Sequence, residues 1–148
     1  MTAKLKITSL ALALALFVSG PAFAQDDTSP LVGAWRMASL EVGTEGNLQP
    51  VPYSGQIILS ESGNVSVQAM NPDPNAPPTP YTTNGYESYY GTFVINEAAN
   101  TFVMTVESSL VRNLIGQSMT RAYEVSGDTL VLTPTDPAEG WRVTYERF

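Results

Sequence analysis

Short stretches in which apolar and polar residues alternate, separated by turn residues, are the feature of this chain that most restricts its fold. Val65, Val67 and Ala69 alternate with Ser66 and Gln68, and Phe102, Met104 and Val106 alternate with Thr101, Thr105 and Glu107. A period of two residues is typical of strands with one dry and one wet face, and helical periodicity is scarce after residue 30. The pattern predicts an all-β sandwich or barrel.

The sequence divides into eight predicted strands with connections of alternating length. The strands are Gly33–Val42, Ser54–Ser60, Asn64–Met70, Glu87–Ile95, Thr101–Ser108, Gln117–Val125, Thr129–Thr133 and Gly140–Arg147. The long connections are 43–53, 71–86, 109–116 and 134–139, and the short ones are 61–63, 96–100 and 126–128. Successive loops of an up-and-down meander lie at opposite ends, so the long ones gather at one rim. We therefore predict an eight-stranded antiparallel up-and-down barrel that is closed at one end and open at the other.

Two of the long connections carry information of their own. Residues 71–80 contain five prolines, which prevent ladder pairing, and form either a lid over the rim or a stiff connector. The segment Ser109–Gly116 is unusually apolar for a surface connection. It is either a lip that contacts an apolar ligand or a short plug packed over the barrel.

The N-terminus has the three parts of a secretory signal peptide. Lys4 and Lys6 precede an apolar run over residues 7–18, and Ala22 and Ala24 are the small residues of a cleavage site. The run of about 12 residues is shorter than the roughly 20 that a membrane-spanning helix needs, although a retained anchor is the alternative. We predict a signal peptide over 1–24, a single domain over 25–148, and export to the periplasm or the exterior.

Composition excludes several classes of function. The chain has neither cysteine nor histidine, which removes disulfides and most zinc, haem, iron–sulfur and Ser-His-Asp chemistry, and it has no EF-hand spacing of acids. We therefore predict no metal and no cofactor. Cleavage removes both lysines, so five of the seven basic residues remain against 14 acids, and the net charge is −9. Such a chain is a poor partner for nucleic acid or for an anionic membrane, and its oligomeric state is left open.

Several segments of the chain resemble one family. They are Leu31–Arg36 with its Gly-x-Trp, Gly55–Leu59, Gly63–Met70, Tyr90–Phe93, Val106–Leu110 and Arg121–Leu132. Together they resemble the lipocalin-like domain family over nearly the whole predicted domain. The resemblance implies an eight-stranded calycin barrel and no single activity. Members often have a histidine before the position of Glu107, and this chain has none there.

The resemblance also implies structural roles for Gly33, Trp35 and Arg147. Lipocalins place an arginine of the last strand against the tryptophan of Gly-x-Trp. Arg147 alternates with Trp141, Val143 and Tyr145 on one face of the last strand, which allows a cation–π contact with Trp35 if that face is inward. Arg142 is then expected to point outward.

The candidate ligand-binding residues are Gln68, Tyr86, Tyr89, Glu107, Arg112 and Arg121. Tyr86 and Arg112 fall near the expected mouth, as do Tyr53, Tyr81, Leu114 and Ile115. Gln68, Glu107 and Arg121 lie among apolar neighbours, and they either face solvent or orient a ligand inside the barrel. If Glu107 and Arg121 both face inward, each needs the other as a partner.

Three functions remain open on the sequence alone, and no catalytic residue is assigned. The leading hypothesis is a protein that binds a small hydrophobic or aromatic molecule in the barrel. The alternatives are an isomerase or cyclase that uses Glu107 and a tyrosine as acid and base, and an interaction module with a filled barrel.

Overall fold

The computed structural model describes residues 28–148 of the chain. The predicted signal peptide at 1–24 lies outside the described residues. Within residues 28–148, none of the helices has the length and apolar character that crossing a membrane requires.

The described residues form nine strands and three single 3-10 turns. The strands are β1 (Gly33–Thr44), β2 (Asn47–Val51), β3 (Ser54–Leu59), β4 (Asn64–Met70), β5 (Tyr86–Asn96), β6 (Thr101–Ser109), β7 (Ser118–Ser126), β8 (Thr129–Pro134) and β9 (Trp141–Arg147). The 3-10 turns are Glu97–Ala99, Arg112–Leu114 and Pro137–Glu139. Except at β2, each strand pairs antiparallel with the next along the chain.

The sheet closes into a barrel because β1 also pairs with β9, from Trp35 opposite Arg147 to Val42 opposite Trp141. On its other side β1 pairs with β3 over residues 33–36 and with β2 from Leu40 onward. Strands β2 and β3 thus form one broken strand, interrupted at residues 52–53. The predicted eight-stranded antiparallel barrel is confirmed.

The predicted long loop at 43–53 is wrong. Strand β1 continues to Thr44, turns through Glu45 and Gly46, and returns as β2, with Leu40 opposite Val51. Gly46 has a φ of +76°, the left-handed conformation that tight hairpin turns require. Pro50 argues against a strand in the sequence, but β2 pairs only with β1, and an edge strand tolerates proline.

The closed half of the barrel is filled by large side chains. Trp35, Phe102, Leu31 and Leu130 are fully buried, and the rings of Phe93 and Phe102 meet edge to face at 6.2 Å. Aromatic rings favour this arrangement over face-to-face stacking. This half is the packed core, so any space for a ligand lies toward the other end.

The closed end is fixed by Arg147, whose guanidinium lies 4.0 Å from the centroid of the Trp35 ring. It also donates hydrogen bonds of 3.1 Å and 3.0 Å to the carbonyl oxygens of Val32 and Pro30. A side chain at Gly33 would collide with the same guanidinium. These are the contacts expected from the Gly-x-Trp motif and the parity of the last strand. Arg142, on the other face of β9, is exposed.

Candidate functional site

A cavity of about 400 Å³ occupies the open half of the barrel. Most of its wall is apolar, formed by Met37, Leu40, Val42, Val51, Ile57, Val67, Ala69, Met104, Leu132 and Val143. Aromatic side chains complete the wall at Tyr53, Tyr81, Tyr89, Trp141 and Tyr145. Those in strands occupy the alternate positions whose side chains point into the barrel, and the others lie at its rim. The volume falls in the range of pockets for single small molecules, about 300–1,000 Å³.

The proline-rich segment lies over the mouth of this cavity, where residues 77 and 79–82 line it. Thr82 is buried, and its hydroxyl accepts a hydrogen bond of 3.1 Å from the backbone N–H of Thr79. The Tyr81 hydroxyl donates a hydrogen bond of 2.7 Å to Oε2 of Glu139, in the β8–β9 connection. The segment therefore lies at the rim and is joined by a hydrogen bond to the β8–β9 connection. We call residues 77–82 the lid.

Arg121 joins the lid to the barrel wall. It lies on the inner face of β7 and is 5% exposed. Its Nη1 lies 3.0 Å from Oε1 of Glu139, and its Nη2 donates to the Tyr81 hydroxyl at 3.3 Å. The guanidinium is 5.0 Å from the centroid of the Trp141 ring. The charge of Arg121 is therefore balanced by one carboxylate and contacted by two aromatic side chains.

Glu139 is held in its ionised form by the same contacts. Burial by itself would raise the pKa of Glu139, but the hydrogen bond from Tyr81 and the charge of Arg121 outweigh it and lower the pKa below the ordinary value. Opposite charges and hydrogen bonds to the charged form both favour the carboxylate. Arg121 and Glu139 thus form a neutral pair at the rim.

Glu87 is a second acidic residue of the cavity and differs from Glu139. It lies near the start of β5, on the same face as Tyr89 and opposite Ala69 of β4. Among residues 28–148, no arginine nitrogen lies within ion-pairing distance of its carboxylate. Burial raises the pKa of Glu87 to about 7, although the hydrogen bond with Tyr89 and the more distant charge of Arg121 oppose the shift. The barrel thus contains a carboxyl group with no partner of opposite charge at contact distance.

Three tyrosines of the cavity lie near this carboxyl group, and Tyr89 is hydrogen-bonded to it. Burial and the neighbouring Glu87 raise the pKa values of Tyr89 and Tyr145, and burial raises that of Tyr53. All these phenols remain protonated at neutral pH. They offer the cavity hydrogen-bond donors and ring faces, but no positive charge.

Of the six predicted ligand-binding residues, Tyr89 and Arg121 line the cavity. Glu107 is exposed on the outer face of β6, beside a β-bulge where pairing with β5 passes from Ser108 to Val106. The possible pairing of Glu107 with Arg121 is therefore absent, since only Arg121 points inward. Gln68 also lies on the outer face of the barrel, where its Oε1 accepts a hydrogen bond of 2.9 Å from Gln56.

Tyr86 and Arg112 also lie away from the cavity. Tyr86 is 38% exposed and precedes Glu87, so it points to the opposite face of β5. Arg112 begins a 3-10 turn and is exposed. In the same segment Leu114 is buried in the core, whereas Ile115 is 46% exposed, so the segment is neither wholly a plug nor wholly a lip.

Sequence reasoning missed Glu87, Glu139 and Trp141 as cavity residues. The signal for Glu87 was present, because it shares the dry parity of β5 with Tyr89 and Phe93. Glu139 lies in the β8–β9 connection and gave no such signal. Within residues 28–148, no group of three or more acidic side chains is placed to hold a metal ion.

The sequence and the fold both resemble known proteins. The sequence model of a family described as "Lipocalin-like domain" matches residues 32–144. A crystal structure of an uncharacterized protein from Bacteroides eggerthii is 16% identical in sequence, with a TM-score of 0.48 over 79% of this chain and 98% of that one. No curated protein matches the chain.

Proposed function

Because the chain belongs to the lipocalin-like domain family, we propose that it binds a small, mainly apolar molecule inside its barrel. The observation that carries this proposal is the cavity of about 400 Å³, with an apolar and aromatic wall beneath the lid. Transfer of apolar ligand surface from water into such a wall is favourable by about 25 cal/mol per Å². Some polar groups inside an apolar pocket, such as Glu87 and Arg121, are typical of sites that orient their ligand.

The division of the barrel into two halves supports ligand binding over the filled-barrel alternative. Side chains fill the closed half, around Trp35 and Phe102, but the same strands carry smaller residues such as Val67 and Ala69 toward the mouth. A barrel that serves only to display its outer surface has no use for an apolar space of this size. Its mouth would also need no lid hydrogen-bonded across the rim.

The enzyme alternative needs a different acid from the one that the sequence indicated. Glu107 is outside the barrel, whereas Glu87 and Tyr89 adjoin each other inside it, and a carboxyl group with a pKa of about 7 suits general acid–base chemistry. We keep this as the second candidate. Proton NMR of a molecule recovered from the protein after incubation distinguishes the two functions, because an isomer has the same mass as its parent but a different spectrum. Binding returns the molecule unchanged, and catalysis returns an isomer or a cyclised product.

The binding proposal is tested by filling the cavity from one strand of its wall. The wild type is expected to take up the neutral fluorophore N-phenyl-1-naphthylamine saturably, at one molecule per chain. Ala69→Trp places an indole inside the cavity and is expected to abolish uptake. The matched control Gln68→Trp puts the same group on the outer face of β4 and is expected to retain it. Circular dichroism checks that both variants fold, and equal uptake by Ala69→Trp and the wild type would contradict the proposal.

We also propose that the chain is exported to the periplasm or the exterior, on the basis of its signal-like N-terminus. N-terminal sequencing of the protein from its own cells is expected to begin at Gln25. A mature protein that begins at Met1 and remains in the cytoplasm would contradict this.

A further inference from the structure

We propose that the molecule bound in the barrel carries a single positive charge, as an amine, and that Glu87 and the tyrosines around it hold that charge. This inference rests on the binding function proposed above and specifies the class of ligand. It is carried by the way charges and aromatic rings are distributed inside the cavity.

The charged side chains that line the cavity are Glu87, Arg121 and Glu139. Arg121 and Glu139 neutralise each other at 3.0 Å, and both also contact Tyr81. Glu87 is left as the carboxylate for which residues 28–148 supply no ion-pair partner. The cavity therefore has a net charge of −1 when Glu87 is ionised. A ligand with one positive charge balances it without breaking the pair of Arg121 and Glu139.

Ligands of other charge fit less well. An anionic ligand would meet an arginine whose charge Glu139 already balances at 3.0 Å, and it would add a further negative charge beside Glu87 and Glu139. A neutral ligand leaves Glu87 without a cation in a mostly apolar wall. An uncompensated carboxylate in such a place is costly, so Glu87 either takes up a proton or pairs with a cation such as an ammonium group. The raised pKa of Glu87 reflects the same lack of a partner.

The side chains that face Glu87 suit an ammonium group. They are Tyr53, Tyr89 and Tyr145, with Arg121 as the nearest cation. A phenol oxygen accepts hydrogen bonds from an ammonium group, and the three tyrosines carry no charge that would repel one. Arg121 itself is directed toward Trp141 and Tyr81 at the rim, at 5.0 Å and 6.0 Å from their ring centroids. Arg121 is thus within cation–π distance of Trp141 and Tyr81, and no such contact joins it to Tyr53, Tyr89 or Tyr145.

The outer surface favours the approach of a cation as well. Residues 28–148 carry 12 acidic side chains against five arginines, and no lysine or histidine. An excess of one charge raises the local concentration of ligands of the opposite sign and speeds their association.

The test compares three ligands that share one chain and differ in charge: decylamine, decanol and decanoate. Each displaces N-phenyl-1-naphthylamine from the full mature protein at pH 8. We expect decylamine to bind at least about tenfold more tightly than decanol, the effect of one charge-assisted hydrogen bond. Glu87→Gln keeps the shape of the side chain and removes its charge, and it is expected to abolish the preference for decylamine over decanol. Glu107→Gln removes the same charge from the outer face and is expected to keep the preference.

A second measurement uses the wild type alone. Alkylammonium groups stay protonated below pH 9, as the lysine value of about 10.4 indicates. Decylamine affinity is therefore expected to rise between pH 5 and pH 8 as Glu87 ionises, while decanol affinity does not rise. Binding of decanol as tight as that of decylamine, or tighter, overturns the inference and leaves the binding function standing. A preference for decanoate has the same consequence, and it would assign recognition of the ligand to Arg121. Failure of the fluorophore and of all three ligands to bind overturns the binding function itself.

Discussion

Substitution of Glu87 by Gln is expected to stabilise the protein at neutral and alkaline pH, because Glu87 favours unfolding whenever it is ionised. The pKa of this carboxyl group rises from 4.5 to about 7 on folding. The folded state therefore holds a proton that the unfolded state releases between these two values, and stability falls as the pH rises through this window. Below pH 4.5 both states are protonated, and the penalty is absent.

The size of the effect follows from the same two values. Each pKa unit corresponds to about 1.4 kcal/mol, which gives an upper limit of about 3 kcal/mol above pH 7. Glu87 is only partly buried, and screening by solvent reduces this to about 1–2 kcal/mol. Gln has the same shape but no charge, so Glu87→Gln is expected to gain that amount at pH 8 and almost nothing at pH 4.

The assay is urea denaturation of the ligand-free wild type, Glu87→Gln and Glu107→Gln at half-unit steps from pH 4 to pH 8. The difference between Glu87→Gln and the wild type is expected to grow between pH 4.5 and pH 7 and then to level off. Glu107 is exposed, so its variant is expected to stay within about 0.5 kcal/mol of the wild type throughout. A Glu87→Gln variant that is less stable than the wild type at pH 8, or a difference independent of pH, would refute the reasoning.

Three further predictions concern the closed end, the rim and the lid. Arg147→Ala is expected to lose about 2–4 kcal/mol of unfolding free energy, because it removes a cation–π contact and two hydrogen bonds. The control Arg142→Ala removes only a surface ion pair and is expected to lose less than about 1 kcal/mol. Equal losses of the two variants in urea denaturation would contradict this. Gly140→Ala is expected to destabilise the protein more than Gly127→Ala does. Both positions have a positive φ, but only at Gly140 does a Cβ collide with the backbone of β1. The melting temperature of Gly140→Ala is therefore expected to be the lower of the two, and equal melting temperatures would contradict this. Tyr81→Phe removes the lid hydrogen bond to the β8–β9 connection and is expected to speed fluorophore release in stopped-flow experiments, and an unchanged release rate would assign gating elsewhere.

The barrel itself could be predicted from the sequence because its two determinants are local. Alternation of apolar and polar residues fixed which face of each strand is inward, and glycine and asparagine marked the tight turns. The closed end followed as well, since the parity of Arg147 and the position of Trp35 are both readable in the chain. The hairpin of β1 and β2 was missed because Pro50 is a local signal against a strand, whereas its tolerance at an edge depends on the pairing of the whole sheet.

The cavity residues were harder to predict, for two separate reasons. Glu139 belongs to a connection, where no period relates position to direction, and its contacts with Arg121 and Tyr81 join residues 18 and 58 positions apart. Such contacts exist only after the barrel closes. Glu87, by contrast, could have been predicted, because the alternation along β5 places its side chain inward. It was missed because a carboxylate near the end of a strand is usually exposed to solvent.

The choice between Glu87 and Glu107 shows how parity should be weighed against residue type. Both are acids near the mouth-side end of neighbouring strands, and residue type alone favours neither. Glu107 continues the wet positions of β6, whereas Glu87 continues the dry positions of β5. A charged residue at a dry position is expensive to bury, so a chain that keeps one there, with tyrosines rather than arginine around it, has a carboxyl group in need of a cation. Because the inferred ligand class depends on this charge and not on the size of the cavity, comparing the affinities of an amine and an alcohol of equal chain length tests it directly.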